Sequence, residues 1–196
     1  MAKLLFQGHG SYRIITNNEV VIYIDPYAGE GYDVPADIIL VTHQHGDHNQ
    51  IQKPVKKDKC IIIQNYDAIK DGIYNSFEIS GVHIQAVPAY NSNHDRNQCV
   101  GYILTFDGLK LYASGDTSTT EEMKGYSAQA IDYAILPIDG IYNMDPAEAT
   151  ACADLIGAKH VIPMHMTPNT LFDKQKADLF KAKNRLIIRA GEEIKL

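Results

Sequence analysis

Short apolar runs rich in Val and Ile recur through the first half of the chain, at residues 3–7, 11–16, 20–24, 38–41, 60–64, 77–79, 82–87, 100–106 and 110–113. Several alternate apolar and polar positions, and turn residues separate them, so each predicts a strand. Asn17-Asn18 and Asp107-Gly108 predict tight turns, which makes the strands on either side of each antiparallel. The second half changes character. Residues 131–136 again predict a strand, but Asp145-Pro146 then supplies a helix cap and a proline suited to the first helical turn. Apolar positions continue from Ala147 to Ile156, and Gly157 provides the stop. A strand at 161–164, an amphipathic helix at 171–182 and closing strands at 185–189 and 192–196 complete the reading. Hairpins first and strand-helix-strand units later predict an α/β protein, a mixed sheet system covered by helices. No repeat or linker divides the 196 residues, so one domain over 1–196 is expected.

Directly after the run at 38–41 stands Thr42-His43-Gln44-His45-Gly46-Asp47-His48. Imidazole nitrogen and carboxylate oxygen are ligands suited to Zn²⁺, and also to Mn²⁺ or Fe²⁺. In an extended segment His43 and His45 project to one side, while Gly46 lets the backbone turn so that Asp47 and His48 face a second point. One short loop can therefore serve two ions. Other candidate ligands each follow an apolar strand, where sheets that combine strands and helices gather their functional groups. Asp116 follows the run at 110–113, His165 follows that at 161–164, and His94 lies a loop beyond 82–87. His83 alternates with Val82 and Ile84 inside a strand and reads as a sheet-face residue, and His160 opens a strand beside Lys159 in a structural place.

Composition narrows the chemistry. Eighteen Lys and Arg against twenty-four Asp and Glu leave a formal charge of −6, the wrong sign for a general nucleic-acid or anionic-membrane surface. No apolar run approaches the roughly 20 residues that span a bilayer, and Gly and His break the amino terminus before a signal-peptide core forms. A cytoplasmic protein with a small-molecule substrate, and neither nucleic acid nor membrane as partner, is expected. Cys60, Cys99 and Cys152 form no CxxC and lie in apolar segments, which predicts buried free thiols. Neither GxGxxG, GxxxxGK[ST] nor GxSxG occurs, so nucleotide cradles and a serine nucleophile drop out and metal ions must supply the nucleophile.

The succession His-x-His-x-Asp-His at 43–48, His94, Gly115-Asp116-Thr117 and His165 resembles the metallo-β-lactamase superfamily of metal-dependent hydrolases over essentially the whole chain. Gly8-His9-Gly10-Ser11, Ile24-Asp25-Pro26 and Ile162-Pro163-Met164-His165 are similar to the branch holding ascorbate-6-phosphate lactonase-like proteins and N-acylphosphatidylethanolamine phospholipase D. The resemblance implies an αββα sandwich, two mixed β-sheets flanked by helices. It implies His43, His45 and His94 on a first divalent ion, Asp47, His48 and His165 on a second, and Asp116 bridging. Two zinc ions are expected, with Mn or Fe as alternatives. A hydroxide bridging the ions would attack a small ester, lactone or phosphodiester, with Asp47, His9 or a metal-bound water protonating the leaving group. Asp25 is expected to orient the histidine loop. Tyr90, Asp139, Tyr142 and Met166 fall on loops at the same edge and are candidate pocket walls. The chain departs from the pattern at Tyr90-Asn91, where related sequences often carry the third histidine; His94 comes later. Two other readings stand beside the hydrolase. One is an iron-dependent oxidoreductase or dioxygenase on the same fold, although Gln44 stands where the diiron electron-transfer branch carries Glu. The other is a catalytically silent metal-binding module.

Overall fold

Fourteen strands and three α-helices form in the computed structural model, which describes residues 1–196. In chain order they are β1 (Lys3–Gly8), β2 (Ser11–Ile15), β3 (Val21–Ile24), β4 (Ala36–Leu40), β5 (Lys56–Ile63), α1 (Asn65–Ala68), β6 (Ile69–Lys70) and β7 (Ile73–Tyr74). There follow β8 (Ser76–Ile79), β9 (Val82–Pro88), β10 (Val100–Phe106), β11 (Leu109–Ala113), a 3₁₀ helix at Glu121–Gln129 and β12 (Tyr133–Pro137). The chain finishes with α2 (Pro146–Ile156), β13 (His160–Met164), α3 (Lys174–Leu179) and β14 (Glu192–Lys195). One six-stranded sheet has the order β14-β1-β2-β3-β4-β5 and the other β13-β12-β11-β10-β9-β8. Both are mixed: β3, β4 and β5 run parallel, as do β11, β12 and β13, and the remaining pairs are antiparallel.

Local chemistry accounts for the joints. Asp107 and Gly108 both take positive φ, 53° and 76°, as a tight hairpin between β10 and β11 requires. The Asp145 side chain accepts from the Ala147 and Glu148 amides, Pro146 follows it, and Gly157 closes α2 in the left-handed region at φ 66°. Edge strand β5 begins with Lys56-Lys57-Asp58-Lys59, charged residues that backbone pairing to β4 tolerates at a sheet margin.

The main core lies between the sheets, where Leu4, Ile14, Ile22, Ile38 and Leu40 meet Ile84, Tyr102, Leu104, Leu111 and Ile162. Each such side chain contributes about 1.5–3 kcal/mol on burial. A second core fills the space between the outer face of the β10–β13 sheet and α2, α3 and the 3₁₀ helix, with Ile103, Tyr112 and Leu136 against Met123, Cys152, Ile156 and Phe180. The outer face of the other sheet has no helix of comparable length. Tyr32 and the partly buried Val34 and Ile51, from connecting segments, cover Val21, Tyr23, Ile39 and Val41 there. The expected α/β sandwich of two mixed sheets is therefore present, with its helical layer concentrated on one side.

Several expectations are corrected. The helix expected over 171–182 is confined to α3, because the Leu171 carbonyl accepts the His9 amide at 2.8 Å and Asp173 caps α3, accepting from the Lys176 amide. The strand expected at 185–189 shrinks to one bridge between Val161 and Arg185. Cys99 and Cys152 are buried free thiols, but Cys60 is half-buried, on the thinly covered face of β5. His83 sits on β9 paired with Glu78, and His160 stacks on Tyr133. No helix is long and apolar enough to cross a membrane.

Candidate metal centre

Strand ends from both sheets deliver the polar residues to one edge. The β1–β2 turn presents His9, and Asp25 follows β3. The loop after β4 carries His43, His45, Asp47 and His48, while His94, Asp116, Asp139 and His165 lie beyond β9, β11, β12 and β13. Hydrogen bonds stitch the two sheets together at this edge: Val100 N donates to Thr42 O at 3.0 Å, Tyr102 Oη to Val41 O at 3.0 Å, and His165 N to His9 O at 2.9 Å. Close approach also depends on glycine. A Cβ on Gly115, at φ 63°, would stand 2.9 Å from both Thr42 Cβ and the Val100 carbonyl oxygen. His9, Asp25 and His165 themselves sit at φ 55°, 46° and 46°. Left-handed backbone at non-glycine residues stores about 1–3 kcal/mol each, and strain of this kind collects at functional sites.

Proton positions follow from the partners. Asp25 and Asp139 carboxylates can only accept, so the proton on the facing imidazole is at Nδ1. His48 Nδ1 donates to Asp25 Oδ2 at 2.9 Å, and His165 Nδ1 lies 3.1 Å from Asp139 Oδ2. Thr42 Oγ1 donates to Asp25 Oδ2, which leaves its lone pair for His43 Nδ1 at 3.0 Å. Asn91 spends its Nδ2 on the Tyr142 carbonyl, so Oδ1 accepts from His94 Nδ1 at 2.9 Å. With Nδ1 so placed, each ring turns Nε2 inward, the atom through which imidazole binds a metal ion, and His43 Nε2 faces His45 Nδ1 at 3.0 Å. Ligand atoms of His43, His45 and His94 lie within 4.8 Å of one another, as do those of His9, Asp47, His48 and His165. Asp116 stands between the groups, 3.5 Å from His48 Nε2 and from His94 Nε2 and 3.4 Å from His165 Nε2.

Electrostatics agree with a cation-binding purpose. Burial pushes the Asp116 carboxyl up, but His48, His165 and His43 outweigh it and hold the group well below the usual carboxylate range. Burial likewise opposes charge on His165, yet Asp116, Asp139 and Asp47 raise its pKa to about 10, so a divalent ion binding at Nε2 would displace a proton that these carboxylates hold there. His48 Nε2, Asp116 Oδ1 and both ring nitrogens of His165 are buried without a well-aligned hydrogen bond, Asp139 meeting His165 Nδ1 as an ion-pair contact. Leaving such atoms unpaired is unfavourable by about 1–3 kcal/mol apiece. Orphaned imidazole nitrogens around a carboxylate, with no cysteine among them, fit a borderline divalent ion.

A cavity of about 280 Å³ opens over Asp47, Asp116 and His165, with Asn93, Tyr142, Pro168 and Asn169 in its walls. Of the anticipated residues, Asp25 reaches His48, Asp139 reaches His165, His9 Nε2 lies 3.1 Å from Asp47 Oδ2, and Tyr142 lines the cavity. Tyr90 does not: its hydroxyl turns to Glu122 and the Arg96 guanidinium covers its ring. Met166 is packed into the helix-side core instead of the pocket. Sequence reasoning missed Asn91 and Asn143. They complete a side-chain path from His94 through Asn91, Asn143 and Asp139 to His165, with successive separations of 2.9, 3.3, 2.8 and 3.1 Å. The available signal was the carboxamide three residues before His94, at the place where the third histidine is customary.

Known proteins share this architecture. The family model for the β-lactamase superfamily domain matches residues 3–165. A UPF0173 metal-dependent hydrolase of Thermococcus kodakarensis is 33% identical over 227 aligned positions, covering 100% of both chains. The structure of a Parabacteroides distasonis protein named as a metal-dependent hydrolase superposes with a TM-score of 0.75 at 32% identity, over 95% of this chain and 92% of that one. Igni18, a metallo hydrolase of Ignicoccus hospitalis, shares the fold at a TM-score of 0.73 and 24% identity, over 98% and 97% of the two chains. The chain belongs to the UPF0173 metal-dependent hydrolases, within the superfamily of the metallo-β-lactamase fold.

Proposed function

We propose that the protein is a binuclear zinc hydrolase of small ester, lactone or phosphodiester substrates, a cytoplasmic enzyme that works without nucleic-acid or membrane partners. The observation that carries this reading is the common orientation of His43, His48, His94 and His165, each with Nδ1 toward an outer oxygen and Nε2 turned inward, grouped on either side of Asp116. His43, His45 and His94 would hold one ion and Asp47, His48 and His165 the other, with Asp116 touching both. Two bound divalent ions supply a water with a pKa near 7 and a Lewis acid for the carbonyl or phosphoryl oxygen.

The chain's own groups do the rest. Asp116 offsets the mutual repulsion of two cations. Asp47 is partly exposed at the cavity, and burial, which would raise its pKa, is outweighed by His165 and His9, so it stays ionised. Its Oδ2 therefore accepts from His9 Nε2, whose ring is fixed from the far side by the Thr170 carbonyl 3.3 Å from Nδ1. That places a proton on His9 where it can serve a departing oxygen. The net charge of −6 supports a small substrate over a long polyanion. Metal content after aerobic and anaerobic purification, together with turnover on a panel of esters, lactones and phosphodiesters, tests the reading. About two zinc equivalents with metal-dependent hydrolysis are expected. One equivalent or fewer in every supplemented preparation would defeat the binuclear assignment, and iron absorption with oxygen consumption would move the protein to the oxidoreductases.

A further inference from the structure

The Tyr142 cavity is one of two that meet at the metal centre. A second, of about 350 Å³, shares His45, Asn93 and His94 with it. From that common ridge the first extends toward His165 and Asn169, and the second toward Gln44, Asn65 and Gln98. The hydrolase reading uses the His43, His45 and His94 wall of the second cavity for one ion and assigns the rest of it no role.

Its chemistry is narrow. Asn65 is buried and immobilised, its Nδ2 donating to the Gln98 carbonyl at 2.8 Å and its Oδ1 accepting from Gln44 Nε2 at 2.8 Å. Gln98 is exposed, and its own carboxamide has no hydrogen bond within the protein, so it is free to donate and to accept. The remaining polar group on that side is the Asp95 carboxylate, and no Lys or Arg lines the cavity. Arg96, the next residue along the chain, is committed elsewhere: its Nη2 lies 2.6 Å from Glu122 Oε1 and its guanidinium 4.9 Å from the Tyr90 ring centroid. Burial raises the Cys99 thiol to about 12, so that wall residue is neutral as well.

A negatively charged arm reaching past the metal centre would meet the Asp95 carboxylate and find no Lys or Arg to pair with, the only cations here being the ions at the ridge itself. A hydrocarbon group would leave carboxamides without partners. A neutral group carrying hydroxyl or carboxamide finds both donors and acceptors. We infer that the substrate straddles the metal centre, with the scissile bond at the His45–Asn93–His94 ridge and a neutral, hydroxyl- or carboxamide-bearing arm in the Gln44–Asn65–Gln98 cavity. The inference rests on the metal-hydrolase reading and narrows it to substrates whose arm on this side is uncharged.

Hydroxamates chelate divalent ions directly, so binding can be read without turnover. Three probes are titrated calorimetrically into the zinc-loaded protein: acetohydroxamate, which has no arm, succinic monohydroxamate, which ends in a carboxylate, and its terminal carboxamide. Each affinity is expressed relative to acetohydroxamate in the same variant. The carboxamide is expected to bind about ten-fold tighter than the carboxylate, a difference that one or two hydrogen bonds supply. Gln98→Lys should reverse that order, whereas Asn169→Lys, on the other cavity, should preserve it. A carboxylate that binds native protein as tightly as the carboxamide, or an order that Gln98→Lys leaves unchanged, overturns the subsite alone. Failure of acetohydroxamate to bind overturns the metal reading and the subsite with it.

Discussion

His48 and His165 lean on buried carboxylates, Asp25 and Asp139, whereas His43 and His94 lean on the neutral oxygens of Thr42 and Asn91. The consequences diverge. Against the pull of burial, Asp116 and Asp25 raise the pKa of His48, and Asp116 and Asp139 raise that of His165. On the other side burial prevails and lowers His43 and His94. A carboxylate behind a histidine makes it a more basic ligand. The ion at His48 and His165 is therefore expected to bind first and more tightly, and the ion at His43, His45 and His94 to exchange more readily. Charged braces must themselves be satisfied. Asp25 accepts from Thr42 N and Oγ1, each at 2.7 Å, and Asp139 from Ile141 N and Tyr142 N, each at 2.6 Å, and Asn143 Nδ2 at 2.8 Å.

The largest effect should come from the residue the two sides share. Asp116→Ala is expected to lower the affinity for both ions, by more than the roughly 10- to 100-fold that loss of an outer hydrogen-bond partner produces. Mass-spectrometric metal content well under one equivalent per chain, with hydrolysis lost, is the anticipated result; retention of both ions would remove Asp116 from between them. Next in size, His94→Ala should lose one equivalent selectively, while His83→Ala, on the exposed face of β9, keeps both. The reverse pattern would mean that the third histidine has been misassigned.

The braces themselves give the sharpest comparison. Asp139→Asn should weaken the tighter ion roughly 10- to 100-fold in competition with a chromophoric chelator. Asn91→Ala, which removes a neutral partner, should weaken the other ion by less than about ten-fold. Equal losses would dissolve the distinction between the two sides. The last effect is thermal. An ion present at 100 times its dissociation constant stabilises the fold by about 2.7 kcal/mol. For a chain of this length that is about 5–10 °C in Tm. Chelation should therefore lower Tm in two steps, the first at lower chelator concentration; one step would indicate ions of equal affinity.

Much of this was legible in the sequence because the ligand candidates stand just beyond strands whose apolar period is plain: Asp116 after β11, His165 after β13, and the histidine loop after β4. The braces were less so. Asp25 could be anticipated, since it ends an apolar strand and carries charge, but Asn91 and Asn143 are ordinary loop carboxamides whose partners lie on different segments. Residues 171–182 show the opposite failure. Their helical period is real, yet the stretch before Asp173 is drawn to His9, and a tertiary hydrogen bond outweighs local propensity. Tyr90 lies on the expected loop but points elsewhere, because Glu122, distant in sequence, takes its hydroxyl and the Arg96 guanidinium covers its ring.

Gly115 separates positions that can change from one that cannot. Any side chain there would push against Thr42 and the Val100 carbonyl, shifting Asp116 relative to the histidine loop without altering one ligand. Tyr142, Asn169 and Gln98 are exposed in the cavity walls, where a new side chain meets solvent and not a packed joint. The joint that sets Asp116 against the histidine loop thus hangs on a residue with no side chain, while the walls around it have room to change.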